Sequence, residues 1–500
     1  MQSNGKQIIT SKRLFVLLLL LLVGLLVIWV YNHSVLSIEA IGNSSSTTTI
    51  KVTNSAGETK TYQSKSGKKT LLVNKGEYAV AVISGNKSGL TSIETKTFLR
   101  RSSVKVKLSD ESSRRYAAYN PSPCMFGVGD VFYSIGCGDY GTNIEQQLPA
   151  RGNLPPSTTS ISNSTLYDTV LAVAPLDRNT VALLTENSTD EGAAYGLKIV
   201  DRSLSTLRNI SLNVGRNVST LQLTPLSASE IMVYSLDSEA AWRVDAVSGE
   251  VNALDLSTKN SEGMTLSDVR SNSGVIVALY SDVSRTDALE EDSLANANST
   301  LVVLDDSGMT SFKVSGGYRQ ASACGEGYIC AVDFYGLRIF TTNKTIHQTG
   351  FIPNVKEIVS TPNGPRFIDD IGVFTYDPSA QSGHYEYSFG QYKSCGTQAT
   401  STGYLLCLIT PKLEKVALAI DQNTPAKDLI DKQVLKLLNH SEVAGVNAVG
   451  NDLFIIPNYG EVDMFVKSAQ KLKEVNSKIT TIIKDSGIDT SVYRVRNAAE

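Results

Sequence analysis

The hydrophobic positions fall into three regimes along the chain. The first is an unbroken run, Leu14 to Val30 (LFVLLLLLLVGLLVIWV), with no charged or polar side chain. As a helix at about 1.5 Å per residue it covers roughly 25 Å, close to a bilayer's hydrocarbon core. Lys6, Lys12 and Arg13 precede it, and no Lys or Arg follows until Lys51. That asymmetry predicts a single-pass cell-membrane protein with a cytoplasmic tail over 1–13, a transmembrane helix over 14–31 and an extracytoplasmic remainder. Trp29 and Tyr31 stand where interfacial aromatics belong. A cleavable signal peptide would have a shorter apolar core and a small-x-small site. The next segment, YNHSVLSIEAIG, offers only a poor match ending at Ala40.

The second regime alternates with period two. Ser34 to Ser46 reads as a polar spacer, and the β-prone runs TIKV, KTYQS, TLLVN, EYAVAVIS, ETKTFL and VKVKL follow it. Gly, Asn and Ser separate them. Tyr78, Val80 and Val82 share one face, and Val104, Val106 and Leu108 alternate with Lys105 and Lys107. The expectation is a small β-sandwich within 34–108, followed by a polar linker over 109–120.

The third regime, 121–466, repeats four-strand units about every 40 residues, as a β-propeller does. A hairpin recurs late in each unit: GLKIVDRSLSTLRNISL from Gly196, AWRVDAVSGEVNALDL from Ala241, TLVVLDDSGMTSFKV from Thr300 and GLRIFTTNKTIHQTGF from Gly336. Asp201, Asp245 and Asp305 hold the same place at the turn, where a carboxylate can accept backbone N–H bonds. The apolar strands upstream, TVALLTE, IMVYSL, VIVALYS and YICAVDF, suit the inner, fully buried positions of a blade. About seven blades are expected, with ring closure mixing N- and C-terminal strands. A pair of β-sandwiches is the competing arrangement. Two helices interrupt the pattern, Thr424 to His440 and about Lys467 to Lys484, the latter opening a helix–strand tail over 467–500. The fold class is therefore mainly β.

Composition and charge sharpen this. With 41% hydrophobic and 19% charged residues the chain can build real cores, and a net charge of −3 argues against a nucleic-acid partner. Six cysteines fall as three local pairs, Cys124 with Cys137, Cys324 with Cys330 and Cys395 with Cys407. Outside a membrane they read as hairpin-bridging disulfides. With four histidines, no metal-ligand spacing emerges.

The stretch TLLVNKGEYAVAVISGNKSG and the later VKVKLS resemble the PEGA family of small extracytoplasmic β modules. Lys75, Gly76, Tyr78, Val80 and Val82 match, and Asn86 to Gly89 fits the turn that follows; the tetrapeptide that names the family is absent. The resemblance covers about residues 47–108 and implies a surface-exposed accessory module of a membrane-anchored bacterial surface protein. AWRVDAVSGEV is similar to the repeat of quinoprotein-type propellers through Trp242, Val244, Asp245, Ala246, Gly249 and Val251. The outer-strand tryptophans of those blades are missing, so the similarity implies a fold and no quinone cofactor.

No serine-hydrolase elbow, HExxH motif or Walker loop is present. No catalytic, cofactor-binding or metal-ligating residue is assigned. Asp369 and Asp370 could face a channel, though paired acids at a strand end are usually just solvated; Glu290, Glu291 and Asp292 lack the ligand spacing of a calcium loop. The expected function is binding or scaffolding at the cell envelope, with a protein or glycan partner. The alternative is a glycosidase-like hydrolase with a carboxylate pair in the propeller channel.

Overall fold

Helix α1 (Gly5–Asn32) runs without a break into strand β1 (His33–Ile41). The computed structural model describes residues 5–42, 47–110 except 86, and, with gaps, 114–497; the longest undescribed stretches are 283–296 and 422–439. Side chains of α1 are described from Leu19 onward, and those of the strands between 114 and 161 are not. The helix expected over Thr424 to His440 and the acidic cluster at 290–292 lie outside the described residues. Among the described residues no helix is long and apolar enough to cross a membrane. The described side chains of α1 cover the second half of the helix, and the apolar ones are exposed, Leu21 at 64% and Ile28 at 58%.

The chain forms two units, the first being Met1–Ser109 with the short segments Gly350–Pro353 and Ser379–His384. Its strands after β1 are β2 (Thr48–Asn54), β3 (Thr59–Ser64), β4 (Lys68–Asn74), β5 (Glu77–Ser84), β6 (Lys87–Glu94) and β7 (Arg101–Lys107). One sheet has the order β4-β1-β7 and the other runs β3-β2-β5-β6. Leu36 and Ile38 of β1, Ile50 and Val52 of β2, Tyr78, Val80 and Val82 of β5, and Val104 and Val106 of β7 share one core. The two faces of a period-two strand explain the match to the alternation read from sequence. At Gly89 a Cβ would stand 2.3 Å from the Lys107 carbonyl oxygen, so no larger residue fits that approach.

The spacer expected from Ser34 is instead β1, the middle strand of its sheet, antiparallel to β4 and parallel to β7. Its serines look like loop residues but are satisfied in place. Ser34 Oγ donates to the Arg100 carbonyl at 3.0 Å, and Ser37 Oγ accepts from Arg101 at 2.9 Å.

Beyond the sandwich, six four-stranded antiparallel sheets span 124–161, 169–212, 221–254, 265–315, 320–353 and 393–421, the last completed by Arg114–Tyr116. Four successive strands between 357 and 388, part of a larger sheet, make a further blade, the sixth of seven in chain order. The first strand of each sheet touches the first strand of the next, and the last sheet's touches that of the first. That closed ring is a β-propeller. Its closure comes from a segment the sequence suggested as linker: Arg114–Tyr116 pairs with strand Lys415–Asp421, Tyr116 opposite Leu418.

Each recurrent hairpin forms the third and fourth strands of its blade. The apolar strands before them are the second strands of their blades. A second strand is flanked in its own sheet and sandwiched by both neighbouring blades, so both faces must be apolar. Ile231 and Val233 face the preceding blade's Leu184 and Ile199, while Met232 and Tyr234 face the following blade's Ile276 and Tyr280. In the next blade Val277 and Leu279 continue the pattern against Ala331 and Phe340. At about 1.5–3 kcal/mol per buried aliphatic side chain, these interblade layers dominate the unit's cohesion.

Strands 443–449 and 452–457, within the span 121–466 expected to form the propeller, make a separate sheet outside the ring. They pair with each other antiparallel, and the second pairs in parallel with Arg494–Asn497. Helix α2 (Ala469–Asp485) packs Val475, Ile479 and Ile482 into the same core as Tyr404, Leu406 and Ile455. The apolar stripe at 475, 479 and 482 has the helical three- and four-residue spacing.

Candidate functional site

The first strands wall a central channel, and their sequences, LQLTP, EIVST and KSCGTQAT among them, mix polar with apolar residues. One edge of each faces the channel, so neither a hydrophobic run nor strict alternation is required. The fourth blade's first strand, Thr265–Asn272, shifts register between Leu266 and Asp268. A bulge re-aims the following side chains. Asp268 Oδ2 accepts from Arg270 Nε at 2.7 Å and from the Ala321 amide of the next blade at 3.1 Å. Arg270 also donates to the Ile358 carbonyl in the sixth blade, whose own amide donates to Gln320 Oε1 at 2.6 Å. Three blades are thus stitched together by Asp268, Arg270 and Gln320. The Asp268 carboxylate holds the buried guanidinium charged, against the desolvation that opposes it.

Between these groups lies a cavity of about 240 Å³, walled by Gln222, Asp268, Arg270, Glu357, Thr397 and Gln398 among others. Desolvation pushes the Glu357 carboxyl up to about 7, with Arg270 opposing the shift. Ser360 Oγ and Thr397 Oγ1 in the same wall are buried without a protein hydrogen-bond partner.

Two unlike recesses share wall residues with this cavity, Ser360 with one and Glu357 with the other. One, of about 320 Å³, is formed by the turns between first and second strands and holds Pro175, Leu226, Ala228, Asn272, Pro362 and Thr400. Among the described residues no charged and no aromatic side chain lines it. Its turns are fixed by short side-chain caps: Asp177 Oδ1 accepts from the Asn179 and Thr180 amides, and Ser227 Oγ from those of Ser229 and Glu230. The other, of about 790 Å³, carries Lys356, Glu357, Asp369, Asp370 and Lys393.

The structure separates the two acids that the sequence suggested as a pair. Asp370 is exposed and salt-bridged to Lys356. Asp369 is buried, accepts from Tyr385 Oη at 2.6 Å and from the Ile371 and Gly372 amides at 2.7 and 2.9 Å, and is pushed up to about 6 by desolvation. It caps a turn, as do Asp201, Asp245 and Asp305 at theirs. A third carboxylate, Glu386, is committed to Arg366 at 2.8 Å and to Tyr404 Oη at 3.2 Å. Among the described acids of the cavity wall, Glu357 is the one whose pKa is raised.

Two cysteine pairs stand at disulfide distance, Cys324–Cys330 in the fifth blade and Cys395–Cys407 in the seventh. Both join first and second strands, and in both the first-strand cysteine sits at a register shift. Cys124 begins the first blade's first strand, while Cys137 lies outside the described residues. Among the described residues no group of His, Cys, Asp or Glu could hold a metal ion. His347 is bonded to Thr345 at 2.8 Å on an outer strand, and His33 stacks on Trp29.

No family model and no curated protein matches the chain. Among solved structures it is similar to the β-propeller domain of Myceliophteria thermophila Cps50 (Swd1), with 10% identity, 60% of this chain and 96% of that one covered, and a TM-score of 0.36. It is likewise similar to Kluyveromyces lactis Hsv2, with 12% identity, 61% and 98% covered and a TM-score of 0.32. A third likeness is to YCF48 bound to D1 peptide, with 10% identity, 63% and 96% covered and a TM-score of 0.37.

Proposed function

We propose that this chain is a membrane-anchored recognition scaffold whose propeller holds an extended segment of a partner protein. In this reading α1 is the single transmembrane anchor, N-terminus in the cytoplasm, and the sandwich and propeller stand outside. The observation that carries the binding role is the recess at the first-to-second-strand turns, whose described lining residues carry no charge. Proline, leucine, serine and asparagine there offer apolar contact and neutral hydrogen bonds, which suit a polypeptide backbone. A glycan site would want aromatic faces to stack on, and none of the described residues lining this recess is aromatic. The test presents the full chain in nanodiscs to arrays of peptides and of glycans. Peptide retention that Ala228→Glu removes supports the reading; retention on glycans alone replaces it.

A second reading, an extracytoplasmic hydrolase, is favoured by one observation, Glu357 poised near 7 in the channel wall. It lacks a free partner acid, since Asp268 is held by Arg270 and the Ala321 amide. Turnover of a glycoside or ester that Glu357→Gln abolishes would establish it.

A further inference from the structure

We infer that the loop Thr95–Arg101 of the sandwich is itself a membrane-contacting element, seating Phe98 in the interfacial zone of an anionic bilayer beside the exit of α1. The inference rests on the anchor reading above and adds a second point of contact to it.

Three observations place the loop. First, no linker separates helix from sandwich, because Asn32 ends α1 and His33 begins β1. The junction is pinned on both sides: the Lys75 amide donates to the Asn32 carbonyl at 2.7 Å, and the Leu99 amide to the His33 carbonyl at 2.9 Å. Whatever depth the end of α1 takes, this loop shares it. Second, Phe98 meets Tyr31 edge to face with ring centroids 5.0 Å apart, yet stays 52% exposed. With Trp29 and Tyr31 it extends the exposed apolar surface of α1 onto the sandwich. Third, Phe98 and Leu99 both hold left-handed backbone, at φ of 59° and 52°. Bulky residues avoid that region, and strained conformations gather where function holds them. The chain accepts strain to turn a phenylalanine outward.

The chemistry around the ring fits a lipid headgroup layer. Aromatic rings favour that zone, and long cationic side chains reach from it toward phosphate. Lys75 Nζ stands 5.5 Å from the centre of the Tyr31 ring, and Lys75, Lys96 and Arg100 are all exposed. These cations would meet the phosphates of anionic lipids on the surface Phe98 enters.

The experiment uses the full chain in nanodiscs of phosphatidylcholine and phosphatidylglycerol, with and without brominated acyl chains. The protein has two tryptophans, so Trp242→Phe leaves Trp29 as the sole reporter, and Trp29→Phe/Trp242→Phe/Phe98→Trp moves the indole into the loop. A blue-shifted emission lost to brominated lipid in both proteins is the expected result. Quenching of Trp29 without quenching of the loop indole overturns the inference and leaves the anchor standing. Quenching of neither shows that the anchor reading itself has failed. A second variant, Phe98→Gly, adopts the same φ without strain. Trypsin should then cut the nanodisc-bound chain within 96–101 faster than in the native protein, and equal rates would also overturn the proposal.

Discussion

Arg366 and Glu386 form a buried ion pair within the sixth blade, Nη2 to Oε1 at 2.8 Å, with exposures of 8% and 5%. The Tyr404 hydroxyl of the seventh blade donates to the other carboxylate oxygen at 3.2 Å, so the pair also joins two blades. Removing one partner of such a pair strands a charge in low dielectric. Arg366→Ala is expected to cost about 3–5 kcal/mol, whereas an apolar double replacement, Arg366→Met with Glu386→Leu, should recover most of it. Thermal and denaturant unfolding of the three proteins checks both halves of the statement.

Little of this pair was legible in the sequence, and the reason is geometric. Arg366 and Glu386 are twenty positions apart and meet only because strands two and four of one blade flank a third. Asp268, Gln320 and Ile358 are more distant still and meet because ring closure brings first strands together. By contrast, the recurrent hairpins and their turn aspartates were visible, since alternation and local capping act within a few residues. The same locality misled at Ser34–Ile41. There, polar serines disguised a central strand whose apolar residues, Leu36 and Ile38, are fully buried.

Stability should depend on pH through Glu357 and Asp369. Their carboxyls are pushed to about 7 and about 6 in the fold, against ~4.3 and ~3.9 for free side chains. Between those values the native state binds more protons than the unfolded one, so unfolding free energy falls as pH rises. Their contribution is complete below about pH 4 and lost above about pH 7. Denaturant midpoints measured across that window should decline, and Glu357→Gln should flatten the upper part of the decline. An unchanged slope in the variant would show that Glu357 ionises as it would in water.

Reduction should loosen the fifth and seventh blades without dissolving the ring. The bonds Cys324–Cys330 and Cys395–Cys407 close short loops, with sequence separations of 6 and 12. Loops this short restrict the unfolded chain modestly, giving about 2–3 kcal/mol per bond at best. Peptide mapping without reductant should recover both pairs, and Cys124 joined to Cys137 as a third. A melting temperature insensitive to reductant would mean that interblade packing alone sets the stability.

Ring closure makes the sharpest demand on where the chain may be cut. The seventh blade takes its outermost strand, Arg114–Tyr116, from the N-terminal side, pairing Ile420 with Arg114 and Leu418 with Tyr116. Without that strand, Lys415–Asp421 becomes an open edge with unpaired backbone groups, a template for association with other chains. A fragment beginning at residue 109 should therefore be monomeric, and one beginning at 117 less stable and prone to aggregate, although the two differ by only a few polar residues. Adding a peptide of residues 109–117 in trans should restore part of the loss, because the missing edge pairs through its backbone. Light scattering and melting temperatures of the two fragments, with and without the peptide, decide the matter. If both fragments behaved alike, closure would rest on interblade packing, and the strand pairing at Arg114–Tyr116 would contribute nothing measurable.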